Sequence, residues 1–165
     1  MNINSTIEEA KIYISENVDV GVKCPCCEQF AKVYKRKITS IMVRGLIVLY
    51  RYDIKNQNKF MHKDEIGKYL NDKVKFGGGD FAKLSYWGMI EGRDKEDGQK
   101  GKTSGYWRIT SEGRDFIEGK SPVPKHKYVY DSKVLPRESG EYVTVREALS
   151  EKFDYAELMG FTSNQ

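Results

Sequence analysis

Phe81-Ala82-Lys83-Leu84-Ser85-Tyr86-Trp87-Gly88-Met89-Ile90-Glu91 carries the clearest structural pattern in the chain. Phe81, Leu84 and Trp87 recur at helical spacing, which predicts a helix over 80–87 with one apolar face. Gly88 breaks the pattern, and Met89–Arg93 then reads as a strand. Moving downstream, Asp94–Ser104 is polar and carries Gly98 and Gly101, while Gly105–Ile109 alternates through Tyr106 and Trp107. Two strands joined by a polar, glycine-bearing loop form a β-hairpin. Thr110 is placed to cap a short helix containing Phe116 and Ile117, and Gly119 and Pro122 stop it. Moving upstream, Lys73–Gly79 is a turn ending in three glycines. Asp64–Asn71 is a short helix with Ile66, Tyr69 and Leu70 on one side. Phe60-Met61-His62 is a short strand. Residues 39–53 are a helix apolar around much of its circumference, as befits a central element.

The flanks are less regular. Ser5-x-x-Glu8 and Thr6-x-x-Glu9 both fit a capping box, and Ile7, Ala10 and Ile14 follow at helical spacing, so residues 6–17 form an amphipathic helix. Val20–Lys23 and Phe30–Lys35 read as two short strands around a cysteine turn. Beyond Pro124, Lys127–Leu135 reads as strand, Asp131-Ser132 turn, strand. Tyr142–Val145 reads as a further strand, and Thr144 caps a helix over 145–152. The expected class is α+β in three consecutive parts: an N-terminal helix and cysteine-knuckle hairpin over 1–38, a central domain over 39–120, and a C-terminal hairpin and helix extension over 121–165.

The chain has 165 residues, 28 Lys+Arg and 24 Asp+Glu, for a formal charge of +4. Its mean hydropathy is −0.65. The most apolar run, Ile41–Tyr50, is interrupted by Arg44 and Gly45 and is far shorter than the roughly 20 residues a span requires, so no membrane partner is expected. The first residues show no basic region followed by an apolar stretch, and the three Cys do not form a disulfide framework, which points to the cytoplasm. Charge is uneven: residues 1–22 carry −3, residues 23–120 carry +8 and residues 121–165 carry −1. A basic central section is the electrostatic footprint of a nucleic-acid-binding module.

The order over 39–119, with the 81–91 stretch and Ile109-Thr110-Ser111-Glu112-Gly113-Arg114-Asp115-Phe116, resembles the winged helix-turn-helix fold. The latter segment is similar to the "leucine-threonine-x-x-glycine" that follows the wing in the MarR-like group. Gly77-Gly78-Gly79 departs from that group's usual turn. Cys24-Pro25-Cys26-Cys27-Glu28-Gln29, Tyr34-Lys35-Arg36-Lys37 and Gly78–Leu84 also resemble small phage and prophage proteins that combine a cysteine knuckle with a winged helix. The resemblance implies double-stranded DNA as partner, helix 80–87 in the major groove and hairpin 89–109 as the wing. It also implies a role in transcription regulation in the bacterial cytoplasm, at the nucleoid. Lys75 in the turn, and Lys83, Ser85 and Tyr86 off the apolar face, are the candidate helix contacts. Lys95, Lys100, Lys102, Thr103, Ser104 and Arg108 are the candidate wing contacts. Asp94, Glu96 and Asp97 weaken the field at the wing base. The backbone N–H groups at the start of helix 80–87 are a candidate phosphate site. A homodimer would pair two half-sites.

Cys24 and Cys27 form a C-x-x-C pair, half of a zinc knuckle; a structural zinc needs four ligands. His62, His126 or a second subunit would have to supply the rest. A metal-free turn and a redox pair are the other readings. No Walker loop, H-E-x-x-H or G-x-S-x-G is present, so catalysis is not expected. The alternative function is a phage-encoded adaptor or inhibitor that binds a host protein through Tyr128, Tyr130, Tyr142 and Tyr155.

Overall fold

The computed structural model describes residues 5–70, 76–96 and 99–161. The chain opens with α1 (Ile7–Asn17), β1 (Val22–Lys23), β2 (Phe30–Ala31) and β3 (Tyr34–Lys37). Next come α2 (Ser40–Asn56), β4 (Met61–His62), α3 (Lys63–Leu70) and α4 (Gly78–Ala82), which continues as a 3-10 turn over Lys83–Trp87. Then follow β5 (Ile90–Asp94), β6 (Lys102–Ile109), α5 (Ser111–Ile117), β7 (Val123–Pro124), β8 (His126–Tyr130) and β9 (Lys133–Val134). The last elements are β10 (Tyr142–Val143), α6 (Val145–Leu149), a 3-10 turn (Ser150–Lys152) and α7 (Tyr155–Met159). The fold is therefore α+β, with seven α-helices and four small antiparallel sheets among the described residues. No described helix is long and apolar enough to cross a membrane.

The chain divides into two compact units. One joins Met1–Lys37 to His126–Ser139, and the other joins Ile38–Lys125 to Gly140–Gln165. The segment 121–165, expected as one extension, thus contributes to both.

The first unit begins with α1, whose capping box is complete: Thr6 accepts from the Glu9 N–H, and Glu9 accepts from the Thr6 N–H. The alternation from Phe30 onward predicts one strand and yields two. Phe30–Ala31 pairs with β1, and Tyr34–Lys37 pairs with β8. Between them, Val33 donates its N–H to the Val18 carbonyl at 2.9 Å and is buried, which turns the chain from one sheet to the other. The β8–β9 turn is Asp131-Ser132, both at positive φ (48° and 60°). That is the backbone a two-residue hairpin demands.

The second unit holds the larger core. Its centre is α2, where Met42, Val43, Leu46, Ile47 and Leu49 are buried. The expected central helix is present and extends three residues further, to Asn56. Gly45 is the point of closest approach: a Cβ there would lie 2.8 Å from the Phe81 ring and 2.9 Å from that of Phe76. Around α2 pack Ile66, Phe81, Leu84, Met89, Ile90, Ile109, Phe116, Ile117, Val145 and Leu149. Two polar ties join α2 to α5 and its C-cap. Arg114 donates to Asp53 at 2.9 Å, and the Tyr50 hydroxyl donates to Glu118 at 3.1 Å. Burial, then the Glu118 carboxylate, pushes the Tyr50 phenol up. The three-stranded sheet has the order β4–β6–β5, and a bulge between Gly92 and Asp94 shifts its register. Strand β7 and helix α7 have no counterpart in the sequence expectations. The former pairs with β10, and the latter is capped by Asp154.

Candidate nucleic-acid interface

The Phe81/Leu84/Trp87 face is buried, as its spacing predicts. Trp87 also donates its indole N–H to the Pro124 carbonyl at 2.6 Å, satisfying the one polar atom it brings inside. Trp107 is only partly buried. The helix itself differs from the expectation. It starts at Gly78 and tightens to 3-10 at Lys83, because Gly88 takes a left-handed conformation (φ 69°) and the Gly88 N–H reaches back to Ser85. Its α-helical part is five residues long. An N-terminal phosphate site there falls away for that reason: macrodipole and free N–H groups need a longer helix behind them. Asp80 does not cap it; its carboxylate pairs with Lys83.

The candidate helix contacts fare unequally. Lys75 lies outside the described residues. Lys83 is neutralised by Asp80 within its own turn. Ser85 is exposed and donates its hydroxyl to the Ala82 carbonyl at 2.7 Å. Tyr86 packs partly against the core.

On the hairpin, β6 begins at Lys102 rather than Gly105, so Lys102, Thr103 and Ser104 sit in the strand and not in the loop. Lys102 pairs with Asp94 across the hairpin at 2.5 Å, and Thr103 donates to the Asp94 carbonyl at 3.2 Å. Arg108 pairs with Glu91 at 2.5 Å and lies over the Phe60 ring at 4.7 Å. Lys95 and Lys100, nearer the tip, are exposed and make no ion pair with a described carboxylate. The Lys95 N–H donates to the Gly101 carbonyl at 3.1 Å, which brings these two ends of the loop together. Ser104 is exposed.

Arg93 is a cation the sequence reading passed over. Its guanidinium lies 3.9 Å from the centre of the Tyr106 ring, which in turn meets His62 edge-on at 4.8 Å. A strand position two residues from Glu91 gave no signal; the cross-strand partner is visible only once register is known. His62 itself is local. Its Nδ1 accepts from the Asp64 N–H at 3.3 Å, at the start of α3.

The cysteine turn has a defined geometry. The Cys24 N–H donates to Gln29 and the Glu28 N–H donates to the Cys24 carbonyl, both at 2.8 Å, with Glu28 left-handed (φ 62°). The backbone N–H of Cys26, then that of Cys27, then the Cys27 thiol hold the Cys24 thiol below its usual range. Partial desolvation, then Cys24 itself, pushes Cys26 up. All three are free thiols. Among the described residues no group of three or more His, Cys, Asp or Glu is arranged to hold a metal ion. A structural zinc would need two further ligands besides Cys24 and Cys27. Of the four tyrosines considered for a protein contact, Tyr142 is exposed. Tyr155 donates its hydroxyl to the Ile117 carbonyl at 2.7 Å at the edge of the core.

No family model matches the chain, and no curated protein or solved structure is significantly similar to it.

Proposed function

We propose that residues 38–125 are a winged helix that binds double-stranded DNA, with the turn 78–87 at the major groove and the β5–β6 hairpin as wing. The observation that carries this reading is the sheet order β4–β6–β5 set in the chain order α2, β4, α3, α4, β5, β6. That arrangement puts a short helical element and a hairpin beside each other, the geometry with which this class of module meets a groove and its backbone. The charge distribution supports the wing tip more than the wing base. Lys95 and Lys100 are open to a phosphate, while Lys102 and Arg108 are held by Asp94 and Glu91. Phosphate contact is therefore assigned to Lys95 and Lys100, and Lys83, Lys102 and Arg108 hold the local structure. The resemblance of the 81–91 and 109–116 stretches to MarR-like winged helices favours a part in transcription regulation.

The test is a titration of the full-length protein, its zinc content measured first, against fluorescent random-sequence duplex at several salt concentrations. Affinity should fall steeply with salt. Lys95→Ala/Lys100→Ala should flatten the log–log slope by about 1.8, at roughly 0.9 per phosphate contact. Absence of binding at low salt by the folded protein would overturn the proposal, and capture of a protein partner would then favour the adaptor reading.

A further inference from the structure

A strongly cationic sheet lies outside residues 38–125 of the proposed winged helix. Strands β3, β8 and β9 contain Lys35, Arg36, Lys37, Lys127 and Lys133 and no Asp or Glu. None of these five makes an ion pair with a described carboxylate. The register sorts them by face, since directly paired residues in an antiparallel sheet point to the same side. Lys35 faces with Tyr128, Lys37 with His126, and Tyr130 with Lys133. These six residues therefore share one face, and none of them is buried. The opposite face carries Tyr34, Arg36, Lys127 and the buried Val129. Tyr34 and Val134 on that opposite face are exposed, so the first face is distinguished by its pairs of lysine with tyrosine, Lys35 with Tyr128 and Lys133 with Tyr130, rather than by exposure.

Two features make this more than a solvated basic strand. Tyr128 is held in place: Arg137, itself fixed by Asp19 through two hydrogen bonds of 2.9 and 3.3 Å, lies 5.2 Å from its ring, and Lys35 lies 5.9 Å from it. Tyr130, two residues on and so about 6.8 Å along the same strand, makes no ring or cation contact with a described residue. Tyr130 pairs directly with Lys133 across the Asp131-Ser132 turn.

We infer that this face binds single-stranded nucleic acid, stacking a base on Tyr130 and taking the flanking phosphates on Lys35, Lys37 and Lys133. A positively charged track with aromatic platforms is the general means of holding a single strand. A single strand offers the faces of its bases to a tyrosine ring, whereas in a duplex those faces are covered by the neighbouring base pairs. The site stands in a different unit from the proposed duplex-binding hairpin and does not depend on that reading.

The test uses the full-length protein and fluorescence anisotropy with labelled oligo(dT) and a labelled hairpin duplex, across a series of salt concentrations. Oligo(dT) should bind, and its affinity should fall with salt. Lys35→Ala/Lys37→Ala/Lys133→Ala should flatten that slope by about 2, at roughly 0.7 per phosphate in a single strand. Tyr130→Ala should weaken oligo(dT) at least roughly fivefold at unchanged slope, and Tyr130→Phe should restore it. Lys95→Ala/Lys100→Ala should leave oligo(dT) binding as it is, which separates this site from the hairpin. Thermal melts establish that each variant folds. The lysine variant, whose positions are exposed, keeps the test decisive if Tyr130→Ala melts early. No oligo(dT) binding at low salt, wild-type affinity and slope in the folded sheet variants, or a preference for duplex that those variants abolish would each overturn the inference.

Discussion

A methyl group at position 113 would have no space. A Cβ there would lie 2.3 Å from the Met89 carbonyl oxygen and 2.7 Å from Ile109 Cγ1. Beside it, Thr110 accepts from the Gly113 N–H at 3.2 Å and donates its hydroxyl to the Gly88 carbonyl at 2.5 Å. One threonine thus caps α5 and ties it to the turn that ends the helical segment 78–87. Gly113→Ala should therefore cost about 3 kcal/mol, the upper range for overpacking, read as a lower urea midpoint; an unchanged midpoint would refute the account of this contact. In the sequence, Thr110 and Gly113 were legible as a threonine cap and a pattern. The reason for the glycine was not, because Met89 is 24 residues away and only packing brings its backbone close. Charges behave in the same way. Lys83, Lys95, Lys102 and Arg108 look alike as letters, and their acidic partners, Asp80, Asp94 and Glu91, divide them into held and open groups.

Helix ends and strand pairs were legible where a local signal sufficed. Thr6, Thr110 and Thr144 cap the helices their positions suggested. The Thr144 box has a consequence for pH. The Thr144 backbone N–H, followed by its hydroxyl, holds the Glu147 carboxyl below its usual range. The folded state therefore binds this proton less readily than the unfolded state does. The contribution is present above the unfolded pKa and is lost as pH falls through the folded one. Glu147→Gln should accordingly be less stable than the wild type at neutral pH, with the gap closing as pH falls through the carboxylate range. Urea titrations at a series of pH values measure this, and a gap independent of pH would contradict it. Elements that depend on distant partners were less legible. The stretch from Phe30 divides between two sheets because β1 and β8 claim different parts of it. The segment 80–87 reads as one helix by spacing, since i, i+3 contacts do not distinguish α from 3-10 geometry.

At the scale of the whole molecule, the chain leaves one unit, builds a second, returns to the first and ends in the second. Composition could not reveal this, because a sheet that closes β3 with β8 pairs residues about 90 positions apart. The central helix, the hairpin and the apolar face of 80–87 were legible, and they frame the proposed interface. The measurement that tests that interface most directly is a backbone-amide NMR titration of the full-length protein with an unlabelled DNA duplex. Shifts should be concentrated in Gly78–Trp87 and around Lys95 and Lys100, and should fade as salt is raised. Shifts that spare both segments at low salt, or their absence altogether, would contradict the proposed interface.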